Sequence, residues 1–331
     1  GADTVAVGYK ALNANTTGGN NVAIGMSAMA LTTTGGENSA VGAYALDANT
    51  TGTMNTAVGY LSLSANTTAS GSTAIGRECL LSNTTGSNTA VGQGALRTIT
   101  TAGYSTAMGY GALNQSVADN NTGFGHGAGD ALTSGGRATC MGVDSLGAAT
   151  TGHYNSAFGW SAGAGLTTGS SNQFFGYDAG VTGSPGGAVT TGTGQLCLGD
   201  ENIANAHVQV DWTIASDKRD KTDVSPMDLG LEFINQLEPV TYRWDKRSLY
   251  SKDQNIVPDG THKEEQLEGG FLAQDVEVLE EQYGHKQSDK TNLTFSLSND
   301  EKMYGIKYGK FVPMLVKAVQ ELSAEVEELK K

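Results

Sequence analysis

Residues 214–226 read IASDKRDKTDVSP, and in them Ser216 is followed at once by Asp217, Lys218, Arg219, Asp220 and Lys221. A serine hydroxyl beside an amine is a pair suited to acyl chemistry. The amine, when neutral, takes the hydroxyl proton, and the oxygen attacks a carbonyl carbon. Neutrality is the demanding part: free lysine titrates near 10.4, so removing its proton at pH 7 costs about 4.6 kcal/mol unless the surroundings help. Cationic neighbours such as Lys218 and Arg219 disfavour a further positive charge, whereas Asp217 and Asp220 favour one. The same residues would equally make a solvated hinge, with Ser216 capping a turn. Spacing does not choose between these readings, because neither helix nor strand brings positions i and i+5 side by side. For Ser216 to meet Lys221, the segment must bend sharply or the partners must come from different subunits.

The elements that would position this segment differ on its two sides. Residues 1–205 contain 39 of the 46 glycines and only 14 charged residues, whereas residues 206–331 contain 7 glycines and 40 charged residues. Two domains are therefore expected, 1–205 and 206–331. Net charges of −6 and −8 make up the total of −14, which argues against nucleic acid as a partner. Cys79, Cys140 and Cys197 are odd in number and far apart, so buried thiols are expected rather than a disulfide framework or a zinc knuckle. No metal or other cofactor is expected. No basic segment leads into an apolar run and no 18-residue apolar stretch occurs, so membrane insertion is not expected.

The first half is a repeat. Rows such as NTAVGYLSLSANTTAS and NSAVGAYALDANTTGT recur with glycines at positions 8, 25, 42, 59, 76, 92, 109, 125, 142, 159 and 176, and QLCLG, ending at Gly199, reads as a last, irregular rung. A fixed period of this size marks a stacked architecture. Each rung offers a short Ser/Thr-Ala-Val/Ile strand and a polar turn. Alternation puts Ala57 and Gly59 on one face and Val58 on the other. On this reading the single Val or Ile is the aliphatic mass of the strand, and three chains around one axis would give it a shared core. GFGHGAG around Gly125 imitates a dinucleotide loop without the helix that should follow. The Asn-Thr-Thr triplets at Asn15, Asn49, Asn66 and Asn83 read as turns rather than glycosylation acceptors, and His126 and His153 as loop residues. The ten acidic residues of this half are scattered, which disfavours a polysaccharide-cleaving site.

In the second half, Ser225 followed by Pro226 predicts a helix start, with Met227, Leu231, Ile234 and Leu237 on one face and Pro239 as its stop. VTYRW and MYGIKYG alternate like strands, residues 246–268 read as a charged, protruding hairpin or loop, and GGFLAQDVEVLEEQYG restarts a helix. The chain ends on a helical pattern in which Leu315, Val319, Leu322, Val326 and Leu329 form a heptad seam. Val at a with Leu at d leans towards two strands, against the three favoured by the repeats.

The AVG…A…TTG rungs resemble the head repeats of trimeric autotransporter adhesins and of tailed-phage fibres. More specifically, SDKRDKTDVSP, LEPVTYRW, GGFLAQDVE and YGIKYGKFVPMLVKAVQEL occur in the order of the peptidase S74 family. These are the C-terminal intramolecular chaperone domains of phage tail fibres, tail spikes and endosialidases. The resemblance implies a domain that trimerises, assists the folding of a fibre and then cuts itself off. It implies a Ser–Lys dyad at Ser216 and Lys221, with a cut adjoining Ser216, hence within Ala215, Ser216 and Asp217. The expected architecture is a trimeric β-helix or β-roll rod, then an α+β chaperone domain ending in a coiled-coil helix. The implied setting is a virion fibre or spike assembled in the host cytoplasm, joined to the rest of the fibre upstream. Its receptor would be a host-surface glycan or protein. The alternative is a non-cleaving trimeric adhesin or fibre tip in which the C-terminal domain is a permanent clamp.

Overall fold

Ser/Thr-Ala-Val/Ile triplets are too short to hold a strand alone and are stabilised by stacking on copies of themselves. In the computed structural model, which describes residues 3–184, 186–203, 205–209, 212–251, 255–298 and 301–331, these triplets and their variants form twelve three-residue strands, β1 (Val5–Val7) to β12 (Leu196–Leu198). All twelve lie in chain order in one parallel sheet. Ala40 faces Ala57 and Val41 faces Val58. The 16-residue steps keep this register, with Ala74 opposite Ala90. The irregular last rung also joins, placing Phe174 opposite Cys197. The fold of this unit, Gly1–Asp200, is a β-solenoid. The glycine after each strand is obligatory. Gly42 has φ +139°, and a Cβ there would lie 2.5 Å from the Gly59 carbonyl oxygen.

The interior corrects one expectation. Alternation separates the two faces as predicted, but the alanine face points inward: Ala40, Ala57 and Ala74 are fully buried, while Val41 and Ile75 are 38% and 40% exposed. Aliphatic mass comes instead from the turn, where Leu46, Leu63, Leu80, Leu96 and Leu113 are fully buried. Each of these leucines has φ near +50°, a conformation costing about 1–2 kcal/mol for a side chain with a Cβ. Burying the leucine contributes about 1.5–3 kcal/mol in return. A single chain therefore carries its own core, and the valine column is an outer stripe. Leu80→Ala should lower stability by about 2–5 kcal/mol, read as a drop in the urea midpoint; an unchanged midpoint would contradict this account of the core.

Buried asparagines join successive rungs. Asn38 Oδ1 accepts from the Asn55 amide at 2.9 Å, and Asn38 Nδ2 donates to the Gly52 carbonyl at 2.9 Å. The pattern recurs at Asn55 and Asn155, which explains why a polar residue is tolerated inside. Asn49, Asn66 and Asn83 are also fully buried, in keeping with a turn role. The three cysteines are free and buried, and burial pushes the thiols of Cys79 and Cys140 up to about 12. His126 stacks on Tyr110, and His153 Nδ1 accepts from the Gly136 amide.

The second unit, Glu201–Lys331, is a small α+β fold. It contains α1 (Leu231–Gln236), α2 (Ala273–Gln282) and α3 (Phe311–Leu329), with antiparallel pairs β13 (Val240–Tyr242) with β14 (Glu268–Gly270) and β15 (Phe295–Leu297) with β16 (Tyr304–Ile306). Leu229, Phe233, Val276, Leu279, Phe311 and Met314 form its core. The fully buried Glu280 accepts from the amides of Leu293 and Thr294 and from the Thr294 hydroxyl. The helix expected from Ser225 begins later. Ser225 and Pro226 are exposed and outside any helix, and α1 starts at Leu231. The first-turn role is taken by a distant partner: Glu321 Oε2 accepts from the Leu231 amide at 2.6 Å. The heptad residues of α3 lie on a helix as expected, and all are exposed, Leu315 47% and Val319 62%.

Candidate active site

Asp217 makes the bend that Ser216 and Lys221 require. Its backbone is extended, and its Oδ1 accepts from the Arg219 amide at 2.9 Å, capping a 3-10 turn over Lys218–Asp220. The Asp220 amide donates to the Asp217 carbonyl and the Lys221 amide to the Lys218 carbonyl, closing the turn. The reversal carries Lys221 back alongside Ser216, with Nζ 2.6 Å from Oγ. Within one chain, a sharp bend is enough to bring the two side chains together.

The neighbouring charges pair with each other. The Arg219 guanidinium meets the Asp217 carboxylate at 2.6 Å and 3.1 Å. It holds that carboxyl below the usual range, and Asp217 in turn raises Arg219. As an ion pair they place little net charge beside Lys221. Residues 212–226 are all exposed, so one chain alone does not desolvate the amine. As an ammonium, Lys221 donates to Oγ; as a neutral amine at the same distance, it would accept the hydroxyl proton. Ala215 and Asp217 flank the serine in the same exposed run. Among the described residues, no cluster of His, Cys, Asp or Glu suits a metal ion, and no helix is long and apolar enough to cross a membrane.

Sequence reasoning missed the anchorage downstream of the pair. The five residues after Pro226 are pinned from three sides. Lys317 Nζ donates to the Met227 carbonyl at 2.6 Å. His285 Nε2 lies 3.0 Å from both Asp228 oxygens. Glu321 holds the Leu231 amide, and Leu229 between them is fully buried. Partial burial pushes the Asp228 carboxyl up, but the bond and charge of His285 together with backbone amides outweigh it, and the net direction is down. The one signal available was the i, i+4 pair Lys317–Glu321, which on a helix reads as an ordinary surface ion pair.

Residues 216–284 match the family model described as chaperone of endosialidase, Peptidase S74. The match begins at Ser216 and covers the bend, α1, β13, β14 and α2. No curated protein and no solved structure matches the chain. A segment similar to the S74 chaperone family therefore follows the β-solenoid.

Proposed function

We propose that the chain is the C-terminal part of a viral tail fibre or spike. Its S74 domain drives trimerisation and folding of the solenoid, then releases itself by a single self-cleavage next to Ser216. The observation that carries the cleavage reading is the 2.6 Å contact between Lys221 Nζ and Ser216 Oγ, made where the family match begins. Neutral Lys221 takes the Ser216 hydroxyl proton, and Oγ bonds to the Ala215 carbonyl carbon. The Ala215–Ser216 C–N bond then breaks, and the leaving amine takes the proton back from Nζ. Water hydrolyses the resulting ester, leaving an Ala215 carboxylate and restoring the Ser216 hydroxyl. Attack on the preceding carbonyl closes a five-membered ring, whereas attack on the carbonyl of Ser216 itself would close a strained four-membered one. This favours the bond before Ser216 over the one before Asp217.

Two exposed apolar surfaces support association of chains. One is the outer column of the solenoid, which includes Val7, Val41, Ile75, Met108 and Phe175; the other is the Leu315–Leu329 seam of α3. Closure of three copies over the exposed 212–226 segment would provide the desolvation that a neutral lysine needs. Light scattering on the intact chain, kept whole by Ser216→Ala, should give about three times 34.1 kDa; a monomer or a dimer would refute the trimer. A denaturing gel of freshly expressed protein tests the cleavage. Fragments spanning 1–215 and 216–331 are expected, and one intact band would favour a permanent clamp on an adhesive fibre tip.

A further inference from the structure

We propose that Lys317 and Glu321 of α3 are positioning residues for the cleavage segment. By gripping both ends of the Met227–Leu231 turn, they make the cleavage rate depend on how α3 is seated. This rests on the reading that Ser216 and Lys221 cut the chain. The grip has two ends and one brace. Lys317 Nζ binds the Met227 carbonyl at 2.6 Å, Glu321 Oε2 binds the Leu231 amide at 2.6 Å, and the two side chains pair at 3.2 Å. The fit around Glu321 is close: a Cβ on the buried Gly230 would lie 2.8 Å from its carboxyl carbon. The Leu231 amide first, and Lys317 next, hold the Glu321 carboxyl below the usual range, so the clamp stays charged at neutral pH.

The position of the clamp gives it consequence. Residues 212–226 are exposed throughout, so the segment bearing Ser216 and Lys221 first meets the body of its unit at Met227 and Leu229. Only residues 222–226 separate Lys221 from the clamped turn. Met314 and Ala318 of the same helix are buried, while Leu315, Val319 and Leu322 are exposed along the seam. One helix thus holds the cleavage segment with one set of residues and offers an apolar seam with another. Association through the seam would fix α3, and α3 would fix the segment. Cleavage would then report on assembly, because small displacements of reacting groups cost large factors in rate.

The test is a time course of cleavage after pulse expression of the full chain, with trimer content and melting temperature measured in parallel. Glu321→Ala removes the acceptor. Leu231→Pro removes the amide it holds, at a first helical position that tolerates proline, and leaves α3 intact; Leu231→Ala, which keeps the amide, controls for loss of the half-buried leucine side chain. Glu321→Ala and Leu231→Pro should each slow cleavage about tenfold or more while the trimer persists. The double variant should be no slower than either single one, since both break one contact. Glu321→Gln, which keeps an acceptor oxygen, should restore most of the rate. If Glu321→Ala fails to assemble, the comparison of Leu231→Pro with wild type decides. Cleavage at the wild-type rate in Leu231→Pro, or losses that multiply in the double variant, would overturn the proposal. A wild-type chain that stays whole removes the cleavage reading and this one with it; a cutting wild type with unaffected clamp variants removes only this one.

Discussion

A chain ending near Ser216, expressed without residues 217–331, is expected to misassemble into aggregates. The same segment released from the full-length precursor is expected to remain a heat-resistant trimer. Successive rungs are nearly interchangeable: Ala40 faces Ala57 and Ala57 faces Ala74 in the same register. Sliding one chain past another by a whole rung therefore preserves most contacts, and register is weakly specified. Exposed strand edges and apolar columns during slow assembly also invite aggregation. A separately folding unit that brings three chain ends together would set the register before the solenoids associate. Once they have done so, unfolding must break many rungs at once, and the rod would be kinetically trapped. Size-exclusion chromatography of both preparations, with and without heating, checks this. Equal trimer yield from the truncated chain would remove the chaperone role, whatever Ser216 does.

Substitution at the pair should have the largest effect on chemistry. Ser216→Ala removes the nucleophile and should leave the chain whole. Lys221→Ala should slow cleavage about 10²–10⁴-fold, the usual contribution of a positioned general base. Lys221→Arg is the more telling variant. It keeps a cation beside Ser216 but cannot be neutral near pH 7, so it should block cleavage as fully as alanine does. A merely structural hydrogen bond from Lys221 to Ser216 would survive that change. Because residues 216–226 are exposed and make no core contact, all three variants should retain fold and trimer. Fragment yields equal to wild type in all three would remove the dyad.

The repeat could be read from the sequence because seventeen-residue periodicity determines strand, turn and register together. The side facing inward could not. Alternation shows only that Ala57 and Val58 point in opposite directions, and the choice was made by Leu63 and Leu80. Their left-handed backbone, φ +51°, brings leucines from the turn into the interior, and nothing local in the sequence announces that conformation for a leucine. The start of α1 failed for a similar reason. Ser225 and Pro226 carry the local signature of a helix start, but the cap comes from Glu321, 90 residues along the chain. By contrast, the bend at Ser216 is local. Asp217, Arg219 and Lys221 build it from side-chain and backbone bonds within six residues, and the spacing alone showed that Ser216 and Lys221 meet only through a sharp turn or across subunits.

A single cut made by Ser216 and Lys221 is tested most directly by intact-mass spectrometry of the freshly purified wild-type chain beside Ser216→Ala. Two wild-type masses are expected that sum to the whole chain plus one water, with the second fragment beginning at Ser216. Ser216→Ala should give one mass, near 34.1 kDa. One whole-chain mass in both samples, or the same two fragments in both, would contradict self-cleavage by this pair.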